Sequence, residues 1–229
     1  MTTSAAPQPL VLALRCGLEG LGLTMSEKQQ AQLLHHLALV SQWCRVYNLT
    51  AVRDPADMLT QHCLDSLAIV RPLHRHLADR AADVLDVGSG AGFPGVVLAI
   101  ACPQLGVTCV DAVAKKVSFV RHVAGAVGLP RLTAVHGRVE ALAACGWDVV
   151  VSRAFASLAD FVSLTRPLLK EGGVWLAMKG QVPEKEILDL PEDIDVFHVE
   201  RLQVPGLGAQ RCLIWMRLRD DTSRVSLSG

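Results

Sequence analysis

Residues 84–95 read VLDVGSGAGFPG. An apolar run that ends in an acid, Asp86, leads directly into glycines at 88, 90, 92 and 95. So little side chain in one place implies a strand that turns sharply into a helix while a ligand approaches the backbone. Glycine tolerates φ > 0 and has no Cβ to collide with that ligand. Pro94 suits the first helical turn, where its missing N–H is not needed. The stretch fits two templates. Gly90, Gly92 and Gly95 satisfy GxGxxG, the dinucleotide fingerprint. Gly88, Gly90 and Gly92 satisfy GxGxG, the pattern of S-adenosylmethionine (SAM) sites.

Outward from this loop, β-rich runs alternate with helical stretches. The strands expected are 82–87, 106–111, 131–136, 147–152 and 173–179. The helices expected between them are 94–102, 113–127 and 157–170. In the second helix Val113, Val117, Val120, Ala124 and Val127 keep a 3–4 spacing and mark one face. Such alternation, with nearly continuous apolar strands, predicts a parallel sheet covered on both faces. The end differs. Residues 193–204 and 211–218 read as two strands joined through PGLGAQ, an antiparallel hairpin. Before the sheet the chain reads as helical. Ser26 with Gln29 forms a capping box, and Leu33, Leu37, Val40 and Cys44 share a face. Asp54 and Pro55 fit an N-cap and first helical position. The helix after them carries Met58, Leu59, Cys63, Leu67 and Val70.

Composition narrows the function. The chain has 229 residues, 51% apolar and 19% charged, enough for a real core. No apolar run reaches transmembrane length, and the N-terminus lacks the basic start of a signal peptide, so a cytoplasmic protein is expected. Seven cysteines, at 16, 44, 63, 102, 109, 145 and 212, form no CxxC pair, so they read as reduced core fillers with no metal site. Net charge is zero, which argues against gripping nucleic acid by bulk charge. A local basic face stays open, because five of the eight histidines (His35, His36, His62, His74, His76) lie early, among Arg45, Arg53, Arg71, Arg75 and Arg80. From composition alone, an ordinary solvated helix surface is the favoured explanation of them.

Three features favour SAM over a dinucleotide. Asp86, two residues before Gly88, can face the cationic methionine end. Asp111 ends the second strand, where an acid can accept both ribose hydroxyls; bonds of this kind contribute roughly 1.5–3 kcal/mol each. The antiparallel terminal hairpin belongs to the class I SAM-dependent methyltransferase architecture, a Rossmann-like α/β fold, here with an N-terminal helical extension. SRAFASL (152–158) follows the fourth strand, where acceptor chemistry is placed. It is not the [D/N/S]PP[Y/F] motif that binds an exocyclic amine, and no cysteine stands in a proline-cysteine context. What remains is an acceptor needing neither deprotonation nor covalent attachment.

NLTAVRDPADMLTQHCLDSL (48–67), DVGSGAGFPG (86–95), the KK of DAVAKKVSFV (111–120), VVVSRAFASL (149–158), MKG (178–180) and GAQRCLIW (208–215) together resemble the ribosomal RNA small subunit methyltransferase G family, also called glucose-inhibited division protein B. The resemblance covers about residues 25 to 218. It implies a bacterial, cytoplasmic, SAM-dependent enzyme that methylates N7 of one guanine in the decoding region of 16S ribosomal RNA. Its substrate would be RNA or the 30S subunit; nothing in the sequence demands more than a monomer, and no membrane or metal partner is expected. The domains expected are a lead and short helix over 1–24, a helical extension over 25–80, the SAM-binding domain over 81–220 and a flexible tail over 221–229.

The resemblance also implies site residues. Gly88 and Phe93 line the SAM site beside Asp86, Gly90, Gly92 and Asp111. Val139 and Glu140 lie by the adenine. Arg153 stands at the mouth of the SAM pocket, counted among the cofactor-binding residues, and, with Lys179, is expected to be catalytic on the acceptor side. A guanidinium bidentate to O6 and N7 would block the nucleophile, so Arg153 is expected to hold O6 alone or a phosphate. Lys179 and Arg211 are expected to hold RNA phosphate. His62 and Asp65 either cap the pocket or bond within their own helix. Where the family continues its ribose acid with serine and a second polar residue, this chain has Ala112 and Val113 after Asp111. That removes polar contacts from 112 and 113 only. Two competing readings stay open: an NAD(P)-binding oxidoreductase or redox regulator, and a non-catalytic assembly factor on a vestigial SAM fold.

Overall fold

A computed structural model describes residues 6–143, 146–153 and 155–219. Cys145, the first five residues of the lead and the expected tail lie outside the described residues. The chain opens with α1 (Gln8–Gly20) and α2 (Glu27–Trp43). Ser26 and Gln29 make the reciprocal capping box at α2, and Leu33, Leu37, Val40 and Cys44 are all buried. Asp54 caps α3 (Pro55–Met58) by accepting from the N–H groups of Ala56 and Asp57. The single helix expected next is broken in two ways. Residues Leu59–Leu64 wind as a wider π-helical turn, a feature frequent at functional sites. Then α4 (Asp65–Leu67) and α5 (Val70–Leu77) follow as separate pieces.

The sheet strands are β1 (Asp83–Val87), β2 (Gly106–Asp111), β3 (Leu132–His136), β4 (Trp147–Ser152), β5 (Leu169–Lys179), β6 (Ile194–Leu202) and β7 (Arg211–Leu218). Their order is β3-β2-β1-β4-β5-β7-β6. The first five run parallel, while β7 is antiparallel to both β5 and β6. The hairpin is therefore as expected, with β7 inserted between β5 and β6. Connections are α6 (Gly95–Ala101), α7 (Ala114–Val127), α8 (Leu158–Thr165) and α9 (Glu184–Leu188). Three boundaries differ from expectation. Pro94 is the N-cap of α6, one residue before the helix. Val113 precedes α7 and is 46% exposed, because Asp111 Oδ1 takes its N–H and holds it extended. β5 begins at Leu169, carried through Gly172 at φ +71° and a register shift against β4.

Alternation along the strands places the core. Val84, Val149 and Val151 face α2, α6 and α7, and share one cluster with Leu14 of α1 and Leu67 of α4. Leu85, Val150 and Trp175 face α8 and the second cluster around Phe161. The helical extension and the sheet thus share one core. Of the cysteines, Cys44, Cys63, Cys102, Cys109 and Cys212 are buried free thiols, and burial pushes Cys63 and Cys102 up to about 12. Cys16 is exposed and fills no core.

Candidate functional site

Strands β1 and β4 are neighbours, and the connections leave them in opposite directions. Such a switch point opens a crevice at the carboxyl ends of the strands. Of the expected site residues, Arg211 opens antiparallel β7, and His62 and Asp65 come from the π-helical turn and α4; the others follow or close one of the parallel strands. Gly88, Gly90 and Gly92 have φ of +73°, +57° and +84°. At Gly90 an added Cβ would meet nothing nearer than the Gly88 carbonyl at 3.9 Å, so the backbone there is open to approach from outside. Gly95 is glycine for a different reason. A Cβ there would press on Cys109 and lie 2.7 Å from Asp86 Oδ2. Gly95 therefore plays the helix–strand packing part that the dinucleotide fingerprint gives its third glycine. The loop alone satisfies both templates; the β5-β7-β6 end separates them.

Two acids hold this loop. Asp111 accepts from Gly90 N–H at 2.9 Å through Oδ2 and from Val113 N–H at 2.9 Å through Oδ1, with Lys116 Nζ at 3.8 Å. Its lone pairs beyond those bonds remain for hydroxyl donors. Asp86 is wholly buried. Its Oδ2 accepts from Gly95 N–H at 2.8 Å, and its Oδ1 has no partner among the described residues. Burial pushes its carboxyl up to about 7, against the opposing Gly95 bond and Arg153 charge. Val139 lies in the turn Val139–Ala141 and packs into the second core, while Glu140 beside it is exposed, 4.0 Å from Arg138.

Phe93 is largely enclosed as well. It is 3% exposed, with the His36 ring 4.8 Å and the His62 ring 5.0 Å from its own between centroids. His36 bonds the loop through its Nε2 to the Ala91 carbonyl, 2.8 Å. Burial lowers its imidazole to about 4. The folded value lies below the unfolded 6.5, so this stability is fully present above pH 6.5 and lost as pH falls toward 4. Between pH 7 and pH 4.5 the wild type is expected to lose about 2–3 kcal/mol more than His36→Gln, which keeps a donor and cannot titrate. Denaturant unfolding of both proteins at the two pH values checks this.

Beside the loop lies a cleft of ≈ 340 Å³, lined by His62, Asp65, Arg153, Lys179, Gly180 and Arg211 among others. Asp65, 1% exposed, sits between two guanidiniums: Arg211 Nε at 2.8 Å from Oδ1 and Arg153 Nη1 at 3.3 Å from Oδ2. Arg153 also reaches the Gln61 carbonyl at 3.3 Å, and its guanidinium carbon stands 5.6 Å from the Phe93 ring. Lys179 Nζ pairs with Glu186 at 2.9 Å and donates to the Phe155 carbonyl at 3.3 Å. Lys179 and Arg211 are therefore each partly buried and paired with an acid. Asp65 bonds to residues 88 and 146 positions away, not within its own helix. His62 bonds Thr50 Oγ1 at 2.7 Å, and burial and the Arg153 charge lower it to about 4, so it is neutral. Glu186 and His36 had no signal in any motif. Among the described residues no group of His, Cys, Asp or Glu could hold a metal, and no helix is long and apolar enough to cross a membrane.

The sheet order with its antiparallel end, and the glycine crevice at the switch point, define a class I SAM-dependent methyltransferase fold. Solved structures agree on the fold: a SAM-dependent methyltransferase from Aquifex aeolicus has TM-score 0.54 at 17% identity, covering 72% of this chain and 94% of that one. TrmN from Thermus thermophilus has TM-score 0.52 at 18% identity, covering 70% and 53%. The family model for rRNA small subunit methyltransferase G matches residues 29–214, and the chain belongs to that family. Proteins named ribosomal RNA small subunit methyltransferase G are 59% identical over 207 residues in Methylibium petroleiphilum, covering 90% of this chain and 94% of that one. In a Polaromonas species the identity is 52% over 220 residues, covering 94% and 97%.

Proposed function

We propose that this chain transfers a methyl group from SAM to N7 of a guanine in the decoding region of 16S ribosomal RNA. SAM, when bound, supplies an electrophilic methyl on a sulfonium. The chain's part is to bind, orient and exclude water. Gly88, Gly90 and Gly92 offer backbone, Asp111 offers acceptors for the ribose, Val139 and Glu140 border the adenine, and Asp86 offers its unpaired oxygen to a donor. That oxygen and the open backbone at Gly90 fit such a ligand. Phe93 supports the loop from beneath.

The observation that carries the reading is Arg153, which touches Phe93 under the glycine loop and Asp65 in the cleft. Cofactor loop and cleft thus share a wall, as transfer between two ligands requires. Guanine N7 has an in-plane lone pair, unprotonated at neutral pH, and needs no general base. The cleft fits that need: its acid Asp65 is held by two arginines, and both His62 nitrogens have partners. Arg153 and Arg211 turn their remaining N–H groups to guanine O6 or phosphate, while Lys179 holds Glu186. Since N7 is out of reach in the deep A-form groove, the base must come from a loop or be flipped out.

The test is methyl transfer from labelled SAM to 30S subunits from a strain lacking this gene, with the modified nucleotide mapped. Label at one guanine N7 is expected. Label at another atom, or none despite SAM binding, overturns the reading. Arg153→Ala is expected to lower kcat/KM for RNA by roughly 10–100-fold, the loss of one charge-assisted contact, with SAM affinity nearly unchanged.

A further inference from the structure

About half of the lysines and arginines among the described residues pair with an acid, and where unpaired ones gather an outside anion can rest. Arg75 pairs with Glu200 and Arg80 with Asp148, so the early arginines do not form one basic face. Arg45, Arg53 and Lys115 differ. Among the described residues none has an acidic partner, and all three surround the turn 44–48 where α2 ends. Arg53 braces that turn, donating to the Cys44 carbonyl at 2.6 Å and Asn48 Oδ1 at 2.8 Å. Lys115 Nζ lies 5.1 Å from the Tyr47 ring centroid. Tyr47 lies 5.5 Å from Trp43, and Trp43 lies 5.7 Å from His122. Val46 at the tip is 75% exposed and Val113, just before Lys115, is 46% exposed. The nearest acid in sequence, Asp54, is occupied capping α3. The patch continues through Lys116 to Asp111, and from there to Gly90 of the cofactor loop.

We infer that this face, the end of α2 with the start of α7, is a platform for single-stranded RNA outside the acceptor cleft. This rests on the proposed RNA substrate. Aromatic rings and exposed valines accept unstacked bases, and unpaired cations track the backbone, a combination suited to single strands and wasted on a duplex.

The test is fluorescence anisotropy of labelled oligouridine with the full chain and SAM present, over a range of salt. The double variant Arg45→Ala, Lys115→Ala is expected to bind about tenfold more weakly at low salt. Its slope of log affinity against log salt should fall by roughly 1.4, at ~0.7 for each phosphate no longer neutralised. Tyr47→Ala should weaken binding with the slope unchanged. Unchanged SAM affinity shows that each variant is folded. Wild-type affinity in all variants, or no oligouridine binding by the wild type, overturns the inference. Variants that lose transfer to 30S subunits but keep oligouridine binding also overturn it, placing a ribosomal protein on this face. If the wild type methylates no RNA, the proposed function falls, while oligouridine binding still judges the platform.

Discussion

Asp65→Asn is expected to tighten RNA binding and slow methyl transfer. Three cations (Arg153, Lys179, Arg211) and two acids (Asp65, Glu186) surround the cleft, and His62 is neutral, so its net charge is positive by one. Removing the Asp65 charge raises that by one, and added positive charge attracts phosphate without regard to position. If the cleft worked by charge alone, the variant would gain both affinity and activity. Geometry predicts the opposite for activity. One buried carboxylate sets two guanidiniums, 2.8 Å and 3.3 Å away, and an asparagine oxygen can accept from only one of them well. A guanidinium set loose costs about 2–3 kcal/mol of aligned contact, or roughly 10²-fold in kcat. Removing one partner of a buried pair also costs about 3 kcal/mol of stability, at the low end because both arginines are partly exposed. Steady-state kinetics should show kcat for RNA down and KM unchanged or lower, with SAM affinity intact. Unchanged kcat would mean that Asp65 only neutralises charge.

Why Asp65 had to be found in the structure is a matter of range. Periodicity and turn chemistry are local, and they carried the sheet: β1, β2 and β4 lie inside it and are largely buried, so they stand as apolar runs and were legible within one residue. The antiparallel hairpin was legible from its turn residues. The π-helical turn Leu59–Leu64 was not, because a wider turn buries Leu59, Cys63 and Leu67 as well as an α-helix would. Val113 matched its helix face by spacing, but one local bond to Asp111 keeps it outside the helix.

The site shows the same limit. Glycines needing positive φ announce themselves, and so does an acid at the end of a strand. Pairing does not. Arg211 reads as an unpaired cation until Asp65, 146 positions earlier, is placed beside it. Lys179 reads the same way until α9 brings Glu186. Phe93 carries no sign of its packing until His36 and His62 are placed against it. Each of these contacts comes from a partner contributed by another element, and most of these partners belong to the helical extension. That extension also supplies His36 and His62 against Phe93 of the glycine loop, and Asp65 in the cleft.

Asp86→Asn is expected to make the fold more stable and the protein worse at binding SAM. The carboxylate is wholly buried, has one backbone donor, and is pushed up to about 7 by loss of solvent. The folded value lies above the unfolded 3.8, so the stability linked to this group is fully present below pH 3.8 and lost as pH rises through 7. At pH 8 the wild type bears that cost in full, on the order of 4 kcal/mol, and a neutral asparagine avoids most of it. The thermal midpoint of the variant should exceed the wild type by several degrees at pH 8, at roughly 2–4 °C per kcal/mol, and by little at pH 4. Subtracting the wild type at each pH cancels the titration of His36 and His62. A chain that keeps so costly an acid has a use for it, and the unpaired Oδ1 indicates one: a cationic donor would stabilise the ionised form and release its proton. SAM affinity in the wild type should therefore rise with pH up to about 7, by as much as one log unit per pH unit. In the variant that slope should vanish, and affinity at pH 8 should fall by roughly 10–100-fold, one charge-assisted bond. Calorimetric titration of both proteins across this range decides it. Equal affinity and equal slope would leave Asp86 as nothing more than the fastening of Gly95.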